Sequence, residues 1–257
     1  MTPIRTALAA SLALALAAPV AADGPIPDAQ TVRGVVLVHG AFADGSGWRG
    51  VHEVLTGRGY RVSVVQNPLT SLEDDVAATR RALARHDGPV VLVGHSYGGA
   101  VITEAGIDPK VAGLVYVSAL APDVGETGAD QFRDFPPPPE FVIETGPDGF
   151  GFVRADSFQA GFAADLSDAD AAFLRDSQVP LNMAVFDAVI AAAAWREKPS
   201  WAVIATQDRA IDPRLLHASA ERIGAQIVEV EASHALFLTQ PRAVADAIDA
   251  AARAVSR

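Results

Sequence analysis

Six short runs of apolar residues, rich in valine and isoleucine, recur along the chain and leave few folds open to it. They are GVVLVHG (34–40), YRVSVVQN (60–67), PVVLVGHS (89–96), VAGLVYVSA (111–119), SWAVIATQD (200–208) and AQIVEVEASH (225–234). Most are continuous rather than alternating, so both faces of each strand must be covered, as in a mainly parallel sheet. Helical patterns lie between them. SLEDDVAATRRALARHDG opens on Ser71 with Asp74 three residues on, a capping-box-like start; Leu72, Val76 and Leu83 form its apolar stripe, and Gly88 is the expected stop. DPRLLHASAERIG places Asp212 as N-cap and Pro213 at the first helical position, and ends at Gly224. PRAVADAIDAAARAV brings Val244, Ile248 and Val255 to one face. This alternation predicts an α/β fold, a mostly parallel central sheet with helices on both faces.

One segment breaks the alternation. From residue 121 to 199 no comparable strand is expected; instead come four prolines (136–139), the glycine-rich ETGPDGFGFV, and two helical patterns, SDADAAFLRDS and LNMAVFDAVIAAAAW. A structureless loop of that length is implausible in a folded domain, so 121–199 is read as an inserted cap, or lid, on a core of 23–120 and 200–257. Nine of the eleven phenylalanines fall within it. A small insertion needs bulky residues for its own core, and an apolar pocket over the sheet needs them for its lining; both uses are expected. Phe42, Phe135, Phe158 and Phe162 are the candidates for the lining.

At the N-terminus, Arg5 precedes an apolar run from Ala7 to Ala18, then Pro19 and the small residues Val20, Ala21 and Ala22. This predicts a signal peptide over 1–22, cleaved after Ala22, and a periplasmic or secreted protein with no stable membrane anchor afterwards. The run, about 12 residues, is short for a permanent span. A net charge of −11 without a basic stripe argues against a nucleic-acid partner. The absence of cysteine excludes a disulfide scaffold and thiol catalysis, and with no His/carboxylate cluster in the sequence no metal site is expected.

Gly94-His95-Ser96-Tyr97-Gly98 matches G-x-S-x-G, between a buried strand and a small-residue helix. A glycine-rich turn with an incidental serine is the plainer alternative. A serine hydroxyl is a weak nucleophile, so catalysis demands a base and a group to orient it. Of six histidines, His39 and His95 lie at strand ends beside glycine, where packing or backbone bonding is expected; His52, His86 and His217 sit in helical patterns and are expected at the surface. His234 follows the last strand, and Asp208 ends the strand before it. The order Ser96, Asp208, His234 is that of the nucleophile-elbow hydrolases. Asp212 is the rival acid, but its place before Pro213 is better explained as a cap. An oxyanion hole would take the backbone N–H of Tyr97 and that of Ala41, with Phe42 as the neighbouring alternative to Ala41.

VVLVHGAFADGSGW, VVLVGHSYGGAV, ATQD and ASH together resemble the α/β-hydrolase superfamily. The short H-G-A loop ending at Trp48 is most similar to the branch of plant salicylate methylesterases and hydroxynitrile lyases with their bacterial relatives. The resemblance implies an eight-stranded sheet with early strands shortened, a lid over 121–199 and the triad above. The lyases carry Thr in place of Gly40 and Lys just after the catalytic histidine; here the residues are Gly40 and Ala235, which favours an esterase. The expected function is therefore an exported, cofactor-free serine hydrolase acting on small to medium apolar esters. Perhydrolase, lactonase or hydroxynitrile-lyase-like activity on the same triad, and a low-turnover ligand-binding receptor, are the alternatives. Oligomeric state is left open.

Overall fold

All six apolar runs enter one sheet in the computed structural model, which describes residues 31–256. The leader assigned to 1–22 and its cleavage point lie outside the described residues. Along the chain come β1 (Gly34–Val38), α1 (Arg49–Gly57), β2 (Arg61–Val64), α2 (Leu72–Ala84), β3 (Val90–His95), α3 (Gly98–Ala105) and β4 (Val111–Val117). The inserted segment follows, with β5 (Ile143–Thr145), β6 (Phe150–Val153), α4 (Phe158–Phe162), α5 (Asp168–Asp176) and β7 (Leu181–Asn182). The chain closes with β8 (Ser200–Ala205), α6 (Pro213–Arg222), β9 (Gln226–Val230), α7 (Leu236–Thr239) and α8 (Pro241–Val255).

The main sheet runs β2-β1-β3-β4-β8-β9, every pair parallel. Its register explains why the runs are continuous. Val36, Leu92 and Leu114 are aligned partners and join a core with Leu72, Val76 and Leu83 of α2 and Ile102 of α3. Val35, Val91, Val93, Val115 and Val203 face the other way, onto Val51 and Leu55 of α1 and Val244 and Ile248 of α8. Nearly every position of the four inner strands is therefore buried on one face or the other, at about 1.5–3 kcal/mol for a fully buried aliphatic side chain, whereas the edge strands β2 and β9 stay largely open. Among the described residues the sheet has six strands, not the eight that the resemblance implies; only residues 31–33 precede β1.

Helix starts follow the sequence closely. Ser71 Oγ accepts from the Asp74 N–H (3.1 Å), and Asp212 Oδ1 accepts from that of Arg214 (2.9 Å). The end of α2 differs: it stops at Ala84, before Gly88, where the Arg85 and His86 amides turn back to Ala82 and Leu83 (3.1 Å each) and Lys110 Nζ donates to the His86 carbonyl (2.7 Å) just beyond.

The inserted segment departs further from the sequence reading. It does contain strands: β5, β6 and β7 form a small antiparallel sheet. ETGPDGFGFV is a hairpin, turning at Gly149 (φ +83°) and closed by the Gly146 N–H donating to the Phe150 carbonyl (2.8 Å). LNMAVFDAVIAAAAW is not a helix. Leu181 and Asn182 pair with β6, the Asn182 N–H donates to the Leu69 carbonyl (2.9 Å), and only short 3-10 turns follow at Met183–Asp187 and Ala194–Arg196. Pairing with distant backbone outweighs the helical propensity of the alanines. SDADAAFLRDS does form α5, capped by Ser167.

Where α3 packs beside the sheet, a Cβ on Gly99 would lie 2.1 Å from the Leu120 carbonyl oxygen, whereas one on Gly57 meets nothing within 4 Å. Gly99→Ala is expected to lose about 1–3 kcal/mol in urea denaturation, and Gly57→Ala to gain up to about 1 kcal/mol. Equal effects at the two positions would contradict this packing.

Candidate active site

β3 ends at His95, and the next residue, Ser96, has φ +54°, in the left-handed region that few non-glycine residues adopt. Tyr97 is already α-helical and α3 begins at Gly98, so strand becomes helix across one residue. The flanking glycines are a steric need. A Cβ on Gly94 would fall 2.5 Å from the Gly98 carbonyl oxygen, and one on Gly98 2.7 Å from that of His39. The backbone of Ser96 is committed: its N–H donates to Val117 (3.2 Å), and its carbonyl accepts from Gly99 (3.0 Å) and Leu120 (3.1 Å). The side chain is what remains free to act.

Asp208 and His234 reach Ser96 from the loops after β8 and β9. Asp208 Oδ2 lies 2.6 Å from His234 Nδ1, and His234 Nε2 lies 2.9 Å from Ser96 Oγ. The side chains of His234 and Asp208 are 1% and 0% exposed, so no water competes for the bond between them. The second carboxylate oxygen of Asp208 accepts from the amides of Ala210 (2.8 Å) and Ile211 (2.9 Å), which fixes its plane. A carboxylate acceptor at Nδ1 places the imidazole proton there and leaves the Nε2 lone pair facing the serine hydroxyl. Asp212 instead caps α6 and pairs with Arg214 (2.6 Å).

The other histidines divide by burial. His95 Nε2–H donates to the His234 carbonyl (3.0 Å), and burial, with His234 beside it, holds the imidazole well below its usual pKa. His39 Nδ1–H donates to the Gly40 carbonyl (2.8 Å) while its Nε2 accepts from the Asn67 N–H (2.9 Å); burial lowers its pKa too. Both are neutral fixtures of the backbone. His86, expected at the surface, is buried against β1, with Nε2 3.0 Å from Ser63 Oγ, because the chain after α2 turns back under the sheet. His52 is half-buried, as is His217, which faces Glu229 (2.8 Å).

A cavity of about 270 Å³ opens above Ser96. Ala41, Phe42, Tyr97, Leu120, Phe132, Phe141, Ile143, Phe162, Met183, Phe186 and Ile211 are among its walls, and no charged side chain lines it. Phe42 and Phe162 thus stand where the sequence placed them. Phe135 and Phe158 do not. Phe135 lies 5.5 Å from the Arg214 guanidinium, outside the cavity, and Phe158 is buried behind Phe162, stacked on it at 5.3 Å. Phe132, Phe141 and Phe186 take their place, with no periodicity in the segment to mark them. Among the described residues no group of three or more acidic or histidine side chains could hold a metal ion.

One buried group escaped the sequence reading. Asp75 is 0% exposed; it accepts from the Leu69 N–H (2.8 Å) and the Tyr97 hydroxyl (2.8 Å). The signal was present, since Leu72, Asp75, Val76, Thr79 and Leu83 share one helical stripe and two of them are polar. Burial pushes its carboxyl up to about 6, against those two hydrogen bonds.

This constellation, a serine at a strand-to-helix elbow with a histidine and a carboxylate from later strand ends, on a parallel sheet, defines an α/β hydrolase. The family model described as alpha/beta hydrolase matches residues 35–247, and the chain belongs to that family. A pyrethroid hydrolase of Sphingobium wenxiniae is 36% identical over 111 residues, 38% of this chain and 40% of that protein. A carbendazim hydrolyzing esterase of Nocardioides sp. is 39% identical over 106 residues, 36% of this chain and 44% of that protein. The chain thus spans less than half the length of these curated relatives. Among solved structures, a methylesterase from Arabidopsis matches with a TM-score of 0.71 at 18% identity, covering 88% of this chain and 99% of that one, a likeness of fold.

The Asp75 carboxyl titrates higher in the folded chain than in the unfolded one, so its contribution to stability is full at low pH and is lost as pH rises through about 6. Asp75→Asn removes that loss. The stability of the native chain relative to Asp75→Asn is expected to fall between pH 4 and 7 in denaturant titrations. A difference independent of pH would show that burial does not raise this carboxyl.

Proposed function

We propose that this chain is an exported serine esterase that cleaves carboxylic esters of small to medium apolar substrates through an acyl-enzyme, without a cofactor. The observation that carries the reading is the unbroken hydrogen-bonded line from Asp208 through His234 to Ser96, ending under an apolar cavity. In the first half-reaction Ser96 Oγ attacks the ester carbonyl while His234 Nε2 takes its proton. Asp208 holds the imidazole and stabilises the imidazolium. The tetrahedral oxyanion accepts hydrogen bonds from the amides of Ala41 and Tyr97. Both residues line the cavity with Ser96, and among the described residues neither amide has an acceptor within the chain. His234 then protonates the departing alcohol. Water repeats the sequence on the acyl-serine, releasing the carboxylic acid and regenerating Ser96.

The cavity sets the substrate class. A substrate carrying its own carboxylate would have to bury that charge among phenylalanines with no cation to meet it. The esterase and hydrolase names of the relatives support the same reaction. A lyase is disfavoured at two positions. A Cβ on Gly40 would lie 2.7 Å from the Cβ of Ser96, and the residue after His234 is the buried Ala235, which brings no ammonium to the site. The 1–22 leader supports export; the mass of the mature protein checks it, since cleavage after Ala22 leaves Asp23 as the first residue.

Ser96→Ala is expected to lower the hydrolysis of p-nitrophenyl acetate and butyrate at least about 1,000-fold, and a fluorophosphonate probe to modify Ser96. In the same assay an ester with a free carboxylate is expected to react at least about tenfold more slowly than its neutral analogue. Undiminished activity in Ser96→Ala, or modification elsewhere, would sink the serine mechanism. Tight binding of apolar esters without turnover would identify a receptor instead.

A further inference from the structure

His234 stands in a five-residue connection between β9 and α7, and proton transfer tolerates little misplacement of its imidazole. From the core, besides Asp208 on the His234 ring itself, Gln207 reaches this connection twice, its N–H donating to the Ala232 carbonyl (3.1 Å) and its side-chain amide to Glu231 (3.1 Å), and His95 Nε2–H donates to the His234 carbonyl. The others come from the inserted segment, just past α4. The Ala235 N–H donates to the Phe162 carbonyl (3.2 Å). Asp165 Oδ2 accepts from the Ser233 N–H (3.1 Å) and from the Thr239 hydroxyl on α7 (2.8 Å), and its Oδ1 accepts from the Ser233 hydroxyl in a short bond. The amides on both sides of His234 therefore reach the inserted segment, that of Ala235 sharing its proton with the Ser233 hydroxyl (3.3 Å) that Asp165 also holds. The Phe162 ring also meets the His234 ring edge-on, 5.1 Å between centroids, and Phe162 lines the cavity.

We propose that Asp165 is a positioning residue for His234: its carboxylate docks the inserted segment onto the histidine loop, so the triad is aligned only while that segment is seated. The proposal rests on the serine-esterase reading and adds a second duty to the segment, which otherwise only walls the pocket. The chemistry fits a carboxylate. All three partners are donors, and an ionised aspartate accepts without donating, whereas an amide would have to turn its NH₂ group toward one of them. The reach also fits: the bonds join residues 68 and 74 positions apart, so nothing local to the loop supplies them.

The test compares Asp165→Ala, Ser233→Ala and their double variant with the native chain on p-nitrophenyl butyrate, with thermal melts alongside. Each single variant is expected to lose about 10- to 100-fold in kcat with KM within about twofold. The double variant should be no slower than the slower single one, because both remove the same contact. Asp165→Asn, which keeps one acceptor, should recover part of the rate. Asp168→Ala, which removes an exposed contact with Gln159 inside the segment, should leave kcat unchanged. A native kcat in Asp165→Ala under conditions where it remains folded, or losses that multiply in the double variant, would overturn the proposal. If instead Ser96→Ala retains full activity, the esterase reading has failed and not the positioning role alone.

Discussion

A serine held with left-handed backbone dihedrals costs of order 1–3 kcal/mol, and such a residue persists only where its surroundings leave it no alternative. At Ser96 the surroundings are backbone. The Gly98 carbonyl crowds Gly94, the His39 carbonyl crowds Gly98, and the carbonyl of Ser96 is shared between Gly99 and Leu120. Those approaches exist because β1, β3 and β4 lie side by side in parallel, each ending at the same edge of the sheet. That arrangement in turn holds because both faces of the inner strands are buried. The geometry of Ser96 is therefore a property of the whole core.

Electrostatics around that point follow from burial. His39 and His95 are driven toward their neutral forms, so they serve as fixed hydrogen-bonding groups and add no cations beside the histidine that must accept a proton. Asp208 is just as buried, but two backbone amides and His234 satisfy it. Asp75, behind Tyr97, accepts from one amide and one hydroxyl, and burial pushes its carboxyl up against both.

What the sequence made legible and what it hid divide along the same line. Continuous apolar runs report burial on two faces, a property of each strand by itself, so β1, β3, β4 and β8 could be read directly, while the edge strands β2 and β9 are largely exposed and were legible only by their β-branched residues. Ser96, Asp208 and His234 could be picked out because each sits at a strand's end, and the structure brings their side chains together. The inserted segment resisted reading because its elements depend on distant partners. Leu181 and Asn182 are extended because Phe150, Gly151 and Leu69 pair with them, and the alanines nearby read as helix when seen alone. Phe135 and Phe141 look alike in sequence; only the packed segment puts one under Arg214 and the other on the cavity.

The two parts of the chain thus constrain the site differently. The sheet fixes Ser96 through close backbone contacts, which few substitutions could relax without cost. The segment between β4 and β8 shapes the cavity with side chains, and such walls can be exchanged one phenylalanine at a time. The stretch from Phe162 to Asp165 is where the two duties meet. The Phe162 ring is a cavity wall, its carbonyl holds Ala235, and Asp165 holds Ser233. Changes at Phe132, Phe141 or Phe186 can alter what fits while leaving His234 in place, whereas a shift of residues 162–165 moves wall and histidine together. The shape of the cavity is free to drift at one side and tied to the placement of His234 at the other.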